Sequence, residues 1–256
     1  MLISSIIKVK GLSMNRFYVP FQAGLKSIWI DSSESHHIIH VKRLKTGDNI
    51  VLFNGMGIEC NAEIVEINGN KVRVEVNQYK TVNKENRVGV DIAFAVPKGK
   101  RSHFLIQKCT ELGVRKLIPM NYTHSVVKLK AESSEKIEKW RKIAIEAAKQ
   151  CGRNTITEIG DVVNFGDIID NLDNYDLPLF ACNQPDSNNL KNTLQEHLKV
   201  NNIVCFIGPE GGFTSNEIEM AKNAGCEFVS LGQRTLRVET AAIAVSAILS
   251  YHYSTN

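Results

Sequence analysis

Hydrophobic and polar residues alternate in short runs over the first third of the chain. Runs typical of β-strands cover residues 49–53, 59–67 and 71–76. Apolar positions in the last two runs alternate with polar ones: Val65, Ile67, Val72, Val74 and Val76. Glycine-containing turns lie at residues 46–48, 54–57 and 68–70, and one helix is predicted at 34–43, capped by Ser32 or Ser33. Many short strands favour a small β-barrel, which we place at residues 14–83.

The pattern changes after a polar segment at residues 80–87, where we place a domain boundary. Strand-type runs at 88–96, 116–120, 177–182, 203–207 and 228–231 then alternate with helical segments at 101–112, 134–150, 215–224 and 243–249. In the second helical segment one face is apolar, comprising Ile137, Trp140, Ala144 and Ala147. This alternation predicts an α/β domain at residues 84–256, with a parallel sheet covered on both faces.

Residues 1–13 stand apart from both predicted domains. Met14 directly precedes the strand-like run 16–19, so we interpret residues 1–13 as an extension or an alternative start. Their short apolar stretch precedes Lys8 and Lys10, which is the reverse of the order in a signal peptide. No apolar run approaches the length of a membrane helix, and we expect no membrane association.

Charge and cysteine content narrow the functional classes. The 31 Lys and Arg residues exceed the 27 Asp and Glu residues only slightly. The cations are clustered, however, at Lys98, Lys100, Arg101, Lys108, Arg115, Lys116, Lys128 and Lys130. Such a cluster can neutralise nucleic-acid phosphates or form an ordinary solvated face. The six cysteines are scattered without a C-x-x-C pair, which is typical of reduced thiols in a cytoplasmic protein and argues against disulfides and a zinc ribbon.

A glycine-rich loop follows the apolar run 203–207. It reads Gly208-Pro209-Glu210-Gly211-Gly212-Phe213, and Thr214 and Glu217 after it have the spacing of a helix capping box. In open α/β sheets ligands bind beyond the carboxyl ends of strands, where glycines allow close approach of the backbone. The spacing matches neither the Rossmann fingerprint nor a Walker phosphate loop. The sequence therefore indicates a ligand-binding loop, with a tight connecting turn as the alternative.

A second loop leads from the run 228–231 into an apolar helix. It contains Gly232, Arg234, Leu236, Arg237 and Glu239. Two arginines and a glutamate directly before an apolar helix indicate charged groups at a pocket rim. The alternative is a surface loop with a structural Arg–Glu pair.

Together the two loops resemble the paired C-terminal motifs of the SPOUT methyltransferases, and more closely those of the ribosomal RNA small subunit methyltransferase E family. Three further segments match that family: residues 15–19, residues 98–101 leading to 107–113, and residues 146–153. The resemblance extends from residue 14 to about residue 252. It implies methylation of N3 of a uridine in 16S rRNA, with S-adenosylmethionine (SAM) as the cofactor and free 16S rRNA or the assembled small subunit as the partner.

The same resemblance implies a particular fold and assembly. The C-terminal domain would form a deep trefoil knot whose loops enclose the cofactor, a feature that periodicity cannot reveal because knots are nearly absent from other folds. The N-terminal domain would be a PUA-like barrel that binds RNA. The protein would be an obligate homodimer whose interface completes each site.

The implied site residues fall into three groups. Those for the cofactor are Phe180, Ile207, Gly208, Pro209, Glu210, Gly211, Gly212, Leu231, Gly232, Leu236, Arg237, Thr240 and Ala241. The catalytic candidates are Arg234, Arg237 and Glu239: an arginine would stabilise the uracil anion left when N3 loses its proton, and Glu239 would act as base or orient an arginine. The predicted phosphate contacts are Arg16, Arg43, Lys98, Arg101, Lys108 and Arg153.

Some segments depart from the family pattern. A Leu-Arg pair is usual after the His-His helix start, whereas this chain has the segment 36–43; Lys100 replaces a commonly acidic residue; and the segment 183–186 is unlike its family counterpart. His36 and His40 have the i, i+4 spacing of metal ligands, but no H-E-x-x-H motif or further ligand set accompanies them, so we expect no metal. Two other functions remain open, a noncatalytic RNA-binding factor in ribosome assembly and a small-molecule hydrolase, although no triad or phosphate loop supports the latter.

Overall fold

The computed structural model describes residues 15–30, 33–129, 133–185 and 187–254. The proposed extension at residues 1–13, the possible cap Ser32, and the residues Lys130 and Asp186 lie outside these ranges. The chain divides into two compact units. Of the described residues, unit one contains those up to Lys84 together with Ala148–Ile156, and unit two contains those of Glu85–Ala147 and those from Thr157 onward. The segment Ala148–Ile156, which the sequence pattern placed with residues 84–256, thus clusters with the first unit.

Unit one is built on a five-stranded sheet. Its strands are β1 (Arg16–Tyr18), β2 (Ser27–Ile30), β3 (Asn49–Phe53), β4 (Ile58–Asn68) and β5 (Lys71–Thr81). Their spatial order is β1-β3-β4-β5-β2; β1 runs parallel to β3, and the other pairs are antiparallel. The predicted helix is present as α1 (Ser33–His36) and a continuing π-helical turn, His37–Val41.

The core of unit one follows the strand periodicity, with one correction. Val72 and Val74 are buried as expected for alternating positions of β5. In β4 the buried residues are Cys60, Ala62 and Ile64, and the partly buried Ile67 packs against the same core, whereas Val65 does not belong to it. The register shifts between Ile64 and Glu66, and such an irregularity changes which side chains face inward.

Unit two contains an eight-stranded sheet in which all pairs are parallel. Its strands are β6 (Gly89–Ala95), β7 (Lys116–Asn121), β8 (Glu158–Ile159), β9 (Val163–Asn164), β10 (Leu177–Ala181), β11 (Asn188–Asn189), β12 (Asn202–Ile207) and β13 (Glu227–Ser230). The order is β11-β13-β10-β12-β6-β7-β8, and β9 also pairs with β7. Consecutive residues of β6 and β12 are buried, so both faces of the central sheet are covered, as predicted.

The helices of unit two are α2 (Arg101–Glu111), α3 (Ser134–Cys151), α4 (Phe165–Ile169), α5 (Leu190–Glu196), α6 (Ser215–Asn223) and α7 (Val238–His252), with a 3₁₀ turn at Leu172–Asn174. Helices α2, α3 and α6 begin and end close to the predicted positions, whereas the last helix begins five residues before the predicted residue 243. The predicted apolar face of α3 is buried. Sequence periodicity missed α4 and α5, which are too short to show a full amphipathic repeat. Helix α7 packs along β6 and β12, and α2 packs against α7.

Candidate active site

The glycine-rich loop begins where β12 ends, at the carboxyl edge of the central strands. Gly212 has φ +73°, the left-handed conformation that favours glycine. Gly208 is required for a different reason: a Cβ atom there would lie 2.6 Å from Cζ of Phe213. The Phe213 ring in turn stacks on Phe180, with ring centroids 4.0 Å apart. The loop is therefore shaped by backbone conformation at one glycine and by close packing at the other.

Glu217 holds the end of this loop in place. The capping box predicted for α6 is present: Thr214 Oγ1 accepts a hydrogen bond from Glu217 N, and Glu217 Oε2 accepts one from Thr214 N at 2.8 Å. Its other oxygen accepts hydrogen bonds from the N–H and the hydroxyl of Thr123, at 2.8 and 3.0 Å. Burial acts to raise the pKa of Glu217, but these hydrogen bonds outweigh it and hold the pKa below its ordinary value. The buried carboxylate thus joins the glycine loop to the segment after β7.

A cavity of about 270 Å³ opens beside the loop. Among the predicted cofactor residues, those that line it are Ile207, Gly208, Pro209, Glu210, Gly212, Leu231, Leu236 and Ala241. Arg234, a catalytic candidate, also lines it. The structure therefore brings the two sequence motifs together around one cavity, although they are separated along the chain by α6 and β13.

Five other predicted cofactor residues lie around the cavity without lining it. Phe180 is fully buried behind Phe213. Gly211 packs against His124, and Gly232, with φ +116°, lines a second cavity. Arg237 is exposed at the N-cap of α7, and Thr240 is exposed in the first turn of that helix. Glu239 and Thr240 thus belong to α7 and not to the loop before it.

Several cavity residues were not predicted. They are Ala181, Cys182, Asn183, Gln184, Phe213, Thr235 and Val238. Ala181 ends β10 and the next three residues follow it; β10 lies between β12 and β13 in the sheet. The rule that ligands bind beyond the carboxyl ends of parallel strands would have found them, but only once β10 was known to be a central strand. Asn183 Oδ1 accepts a hydrogen bond from Ser230 Oγ at 3.0 Å, which links this segment to the end of β13.

Two carboxylates surround one arginine next to the cavity. Arg101 Nη1 lies 3.1 Å from Glu210 Oε1 and 3.8 Å from Glu239 Oε2. Glu239 is buried, and its Oε2 atom has no hydrogen-bond partner among the described residues. Arg234 and Arg237 are exposed and form no ion pair with another described residue. The arginine near Glu239 is therefore Arg101, a residue that we predicted as an RNA contact.

The predicted phosphate contacts differ in accessibility. Arg43 and Lys98 are exposed, and Lys108 is partly exposed and pairs with Glu111 at 2.8 Å. Arg16 instead donates hydrogen bonds to Glu59 at 2.8 Å and to Asn154 Oδ1 at 2.5 Å inside unit one. Arg153 is buried in the same unit. Arg16 is thus largely occupied by partners within unit one and Arg153 is little exposed, so both are less accessible to a phosphate than Arg43 and Lys98.

The residues described in unit one and unit two contain no group of three or more His, Cys, Asp and Glu side chains suited to hold a metal ion. None of the helices in the described ranges combines the length and the apolar character needed to cross a membrane. All six cysteines are free thiols, and four of them are buried.

Two family models match the chain. The model of the RNA methyltransferase domain matches residues 84–250, and the model of the RNA methyltransferase PUA domain matches residues 30–77. Among curated proteins, the ribosomal RNA small subunit methyltransferase E of Bacillus subtilis (strain 168) is 33% identical over 227 residues, covering 87% of this chain and 89% of that protein. The protein of the same name from Rickettsia conorii is 31% identical and covers 92% and 95% of the two chains.

Solved structures agree with these matches. A Legionella pneumophila structure in complex with bound SAM has a TM-score of 0.86 and 30% identity, covering 93% of this chain and 97% of that chain. The ribosomal RNA small subunit methyltransferase E of Neisseria gonorrhoeae, bound to S-adenosyl methionine, has a TM-score of 0.84 and 27% identity, covering 94% and 98%.

Proposed function

Because the chain belongs to the ribosomal RNA small subunit methyltransferase E family of RNA methyltransferases, we propose that it transfers a methyl group from SAM to N3 of a uridine in 16S rRNA. The single observation that carries the proposal is the cavity beside Gly208–Phe213. Residues of both family-like motifs line this cavity. The order of the parallel strands in the sheet brings the two motifs together there.

The lining of the cavity suits the chemistry of SAM. Ile207, Leu231 and Leu236 offer apolar surface for an adenine ring, and the exposed backbone of the loop can approach a ligand closely at Gly212. The charged side chains of Glu210 and Arg234 and the polar side chains of Asn183 and Gln184 also line the cavity and suit the zwitterionic amino-acid end of SAM. SAM supplies an electrophilic methyl group; the chain's own residues have to bind it, orient the base and favour loss of the N3 proton.

The charged residues divide between two roles in this mechanism. Arg234 and Arg237 are exposed and without ion-pair partners among the described residues, so their guanidinium groups are available to stabilise the negative charge that develops on the uracil oxygens. Of the two roles open to Glu239, its position 3.8 Å from Arg101 supports orientation of an arginine over proton abstraction. Its partner is then Arg101 instead of Arg234 or Arg237.

RNA binding is proposed for the exposed cations Arg43 and Lys98 and for the partly exposed, ion-paired Arg101 and Lys108. Helix α2 begins with no side-chain cap and no acidic residue in its first turn, and Lys98, Lys100 and Arg101 lie at that end. Cations at a helix N-terminus are electrostatically unfavourable in isolation, whereas a phosphate there is favoured both by the cations and by the free N–H groups. This arrangement supports a phosphate-binding role for the start of α2.

The proposal also covers the assembly of the protein and the fold of its two domains. The chain would form a homodimer in the cytoplasm, with a trefoil knot in its C-terminal domain and a PUA-like N-terminal domain at residues 14–83 that contacts RNA. The competing function, a noncatalytic RNA-binding factor, would use the same basic residues but would not require an intact cofactor cavity.

Calorimetry and a methylation assay test the proposal. The purified protein should bind SAM and S-adenosylhomocysteine, but not NAD or ATP, and should transfer the methyl group to 16S rRNA or to small ribosomal subunits. Mass spectrometry of digested nucleosides should then detect N3-methyluridine. Absence of binding heat with a folded protein would exclude the methyltransferase, and SAM binding without methylation of either RNA substrate would exclude this substrate assignment.

The variant Arg237→Ala separates chemistry from binding in the same assay. Since Arg237 is exposed outside the cavity lining, we expect the variant to fold and to bind SAM like the parent, while kcat and kcat/KM fall together by about 10²- to 10³-fold, as for loss of a donor to a developing anion. Lys199→Ala, at an exposed cation before the amino end of β12, the end opposite the glycine loop, is the matched control. Parental kcat would remove Arg237 from the mechanism, and loss of SAM binding would assign it to the cofactor site.

A further inference from the structure

Helix α2 carries one aromatic side chain that the core does not use. Phe104 is 50% exposed, whereas its helix neighbours Leu105, Ile106 and Cys109 are fully buried. Among the described residues of unit two, the only other exposed aromatic side chain is Tyr251, near the end of α7. Phe104 therefore leaves apolar surface in water without contributing to packing.

The neighbours of Phe104 on this face are cations. Arg101 precedes it by three residues and Lys108 follows it by four, so all three side chains lie on one side of the helix. Lys108 Nζ is 6.0 Å from the centre of the Phe104 ring, at the outer limit of a cation–π contact, and it bonds instead to both oxygens of Glu111. Lys108 thus leaves the ring accessible.

This face of α2 begins next to the cofactor cavity. Arg101 Nη1 is 3.1 Å from Glu210 Oε1, and Glu210 lines the cavity. Three helical residues span about 4.5 Å along the axis, which is of the order of the rise of one nucleotide in a strand. The spacing from Arg101 to Phe104 is therefore comparable to one nucleotide step away from the cavity.

We propose that Phe104 is a stacking platform for a base that flanks the target uridine, with Arg101 and Lys108 contacting the adjacent phosphates. The partner is a single-stranded RNA segment, because bases inside a duplex do not expose the faces on which an aromatic ring stacks. Alternating aromatic and cationic side chains are suited to such a strand, since the ring contacts the base and the cations neutralise the backbone. This inference rests on the proposed function. It adds a contact to a base of the RNA, whereas the cations contact only its phosphates.

Kinetics of three Phe104 variants test the stacking contact in the full-length protein. The substrate is 16S rRNA or small ribosomal subunits, whichever the parent methylates. Phe104→Ala should raise KM by about 5- to 150-fold, the range expected for loss of one base–aromatic stack, with little change in kcat or in SAM affinity. Phe104→Trp should restore the parental KM because it presents a larger aromatic face. Phe104→Leu should resemble Phe104→Ala, because it retains apolar bulk without a ring.

Salt dependence distinguishes the base contact from the phosphate contacts. Phe104→Ala should leave the slope of log KM against log salt unchanged, whereas Lys108→Gln should reduce it. Leu198→Ala, which removes an exposed apolar side chain from another surface of the same unit, should leave KM unchanged.

The stacking contact is excluded if Phe104→Ala has the parental KM or if the KM of Phe104→Leu equals that of the parent. An altered oligomeric state with unchanged KM would assign Phe104 to a protein interface. Failure of the parent to methylate would refute the proposed function itself and not this contact alone.

Discussion

Single residues of the glycine loop meet different physical requirements. Gly212 has a left-handed backbone conformation that favours glycine. Steric crowding plays no part there, because an added Cβ atom would meet no other atom within 4 Å. Gly208 is needed because a Cβ atom would collide with the Phe213 ring. A substitution at Gly212 therefore acts through conformational strain, and one at Gly208 acts through displacement of a side chain that lines the cavity.

This distinction gives a prediction for Gly212→Ala. A non-glycine residue in the left-handed region costs about 1–2 kcal/mol. If the loop relaxes away from its binding conformation to relieve that strain, SAM affinity should fall by roughly 5- to 30-fold in calorimetry.

Gly225→Ala is a closely matched control. Gly225 has φ +77° and equally open surroundings, but it follows α6 and does not line the cavity. Both variants should lose similar stability in chemical denaturation, and only Gly212→Ala should bind SAM weakly. Equal SAM affinity in the two variants would show that the conformation of Gly212 does not shape the binding site.

At the scale of elements, Glu217 connects the start of α6 to the segment after β7. Its two oxygens accept four hydrogen bonds, from the N–H and hydroxyl groups of Thr123 and Thr214. The glycine loop lies between these elements in space, so its position depends on this carboxylate. The lowered pKa of Glu217 indicates that the folded state favours the ionised carboxylate over the protonated form.

Glu217→Ala should consequently destabilise the protein in a pH-dependent way. Loss of the cap and of the bonds to Thr123 should lower the free energy of unfolding by about 1–3 kcal/mol at pH 7, measured by urea denaturation. Because the folded-state pKa lies below the unfolded value of about 4.3, the stabilisation by the ionised carboxylate is complete above that value and is lost as the pH falls through the folded-state pKa.

The difference in the free energy of unfolding between the parent and Glu217→Ala should therefore become smaller in acid. Glu219→Ala, at an exposed position of the same helix, should have little effect at either pH. If Glu217→Ala destabilised the protein equally at pH 7 and in acid, the ionised form of the carboxylate would not be what stabilises the fold.

At the scale of the molecule, unit two has a second cavity next to the first. It has a volume of about 470 Å³ and is bordered by α5, the end of β13 and α7. Leu231 lines both cavities. Ile248 and Tyr251, 42% and 85% exposed, present apolar surface beside the second cavity. This face suits the proposed homodimer, since a second subunit that covers it would pack against the loop at Leu231, which also lines the cofactor cavity.

Ile248→Asp should therefore yield monomers. A charge placed in an apolar interface is costly to bury, so sedimentation velocity should show loss of the dimer, and SAM affinity should decrease because Leu231 loses its support. Leu198→Asp, an equally drastic change at another exposed apolar residue, should leave the dimer intact. A parent that sediments as a monomer, or an Ile248→Asp variant that stays dimeric, would refute this interface.

The family and most elements of this protein follow from the sequence alone. The periodicity of apolar residues located the central strands and the longer helices α2, α3 and α6 closely, because β6, β12 and α3 are buried along whole faces and leave a strong pattern. The cofactor motifs could be recognised for a related reason: Gly208 and Gly212 meet local requirements of backbone and packing that few other residues satisfy.

Only the tertiary structure decided which distant residues meet. Cys182 and Asn183 reach the cavity because β10 lies between β12 and β13, an order that no local pattern encodes. The pairing of Glu239 with Arg101 instead of a neighbouring arginine depends on α2 packing against α7. Arg16 and Arg153 carry the same charge as Lys98, yet Arg16 is ion-paired and only partly exposed and Arg153 is buried, since the exposure of a side chain depends on its surroundings in the folded chain.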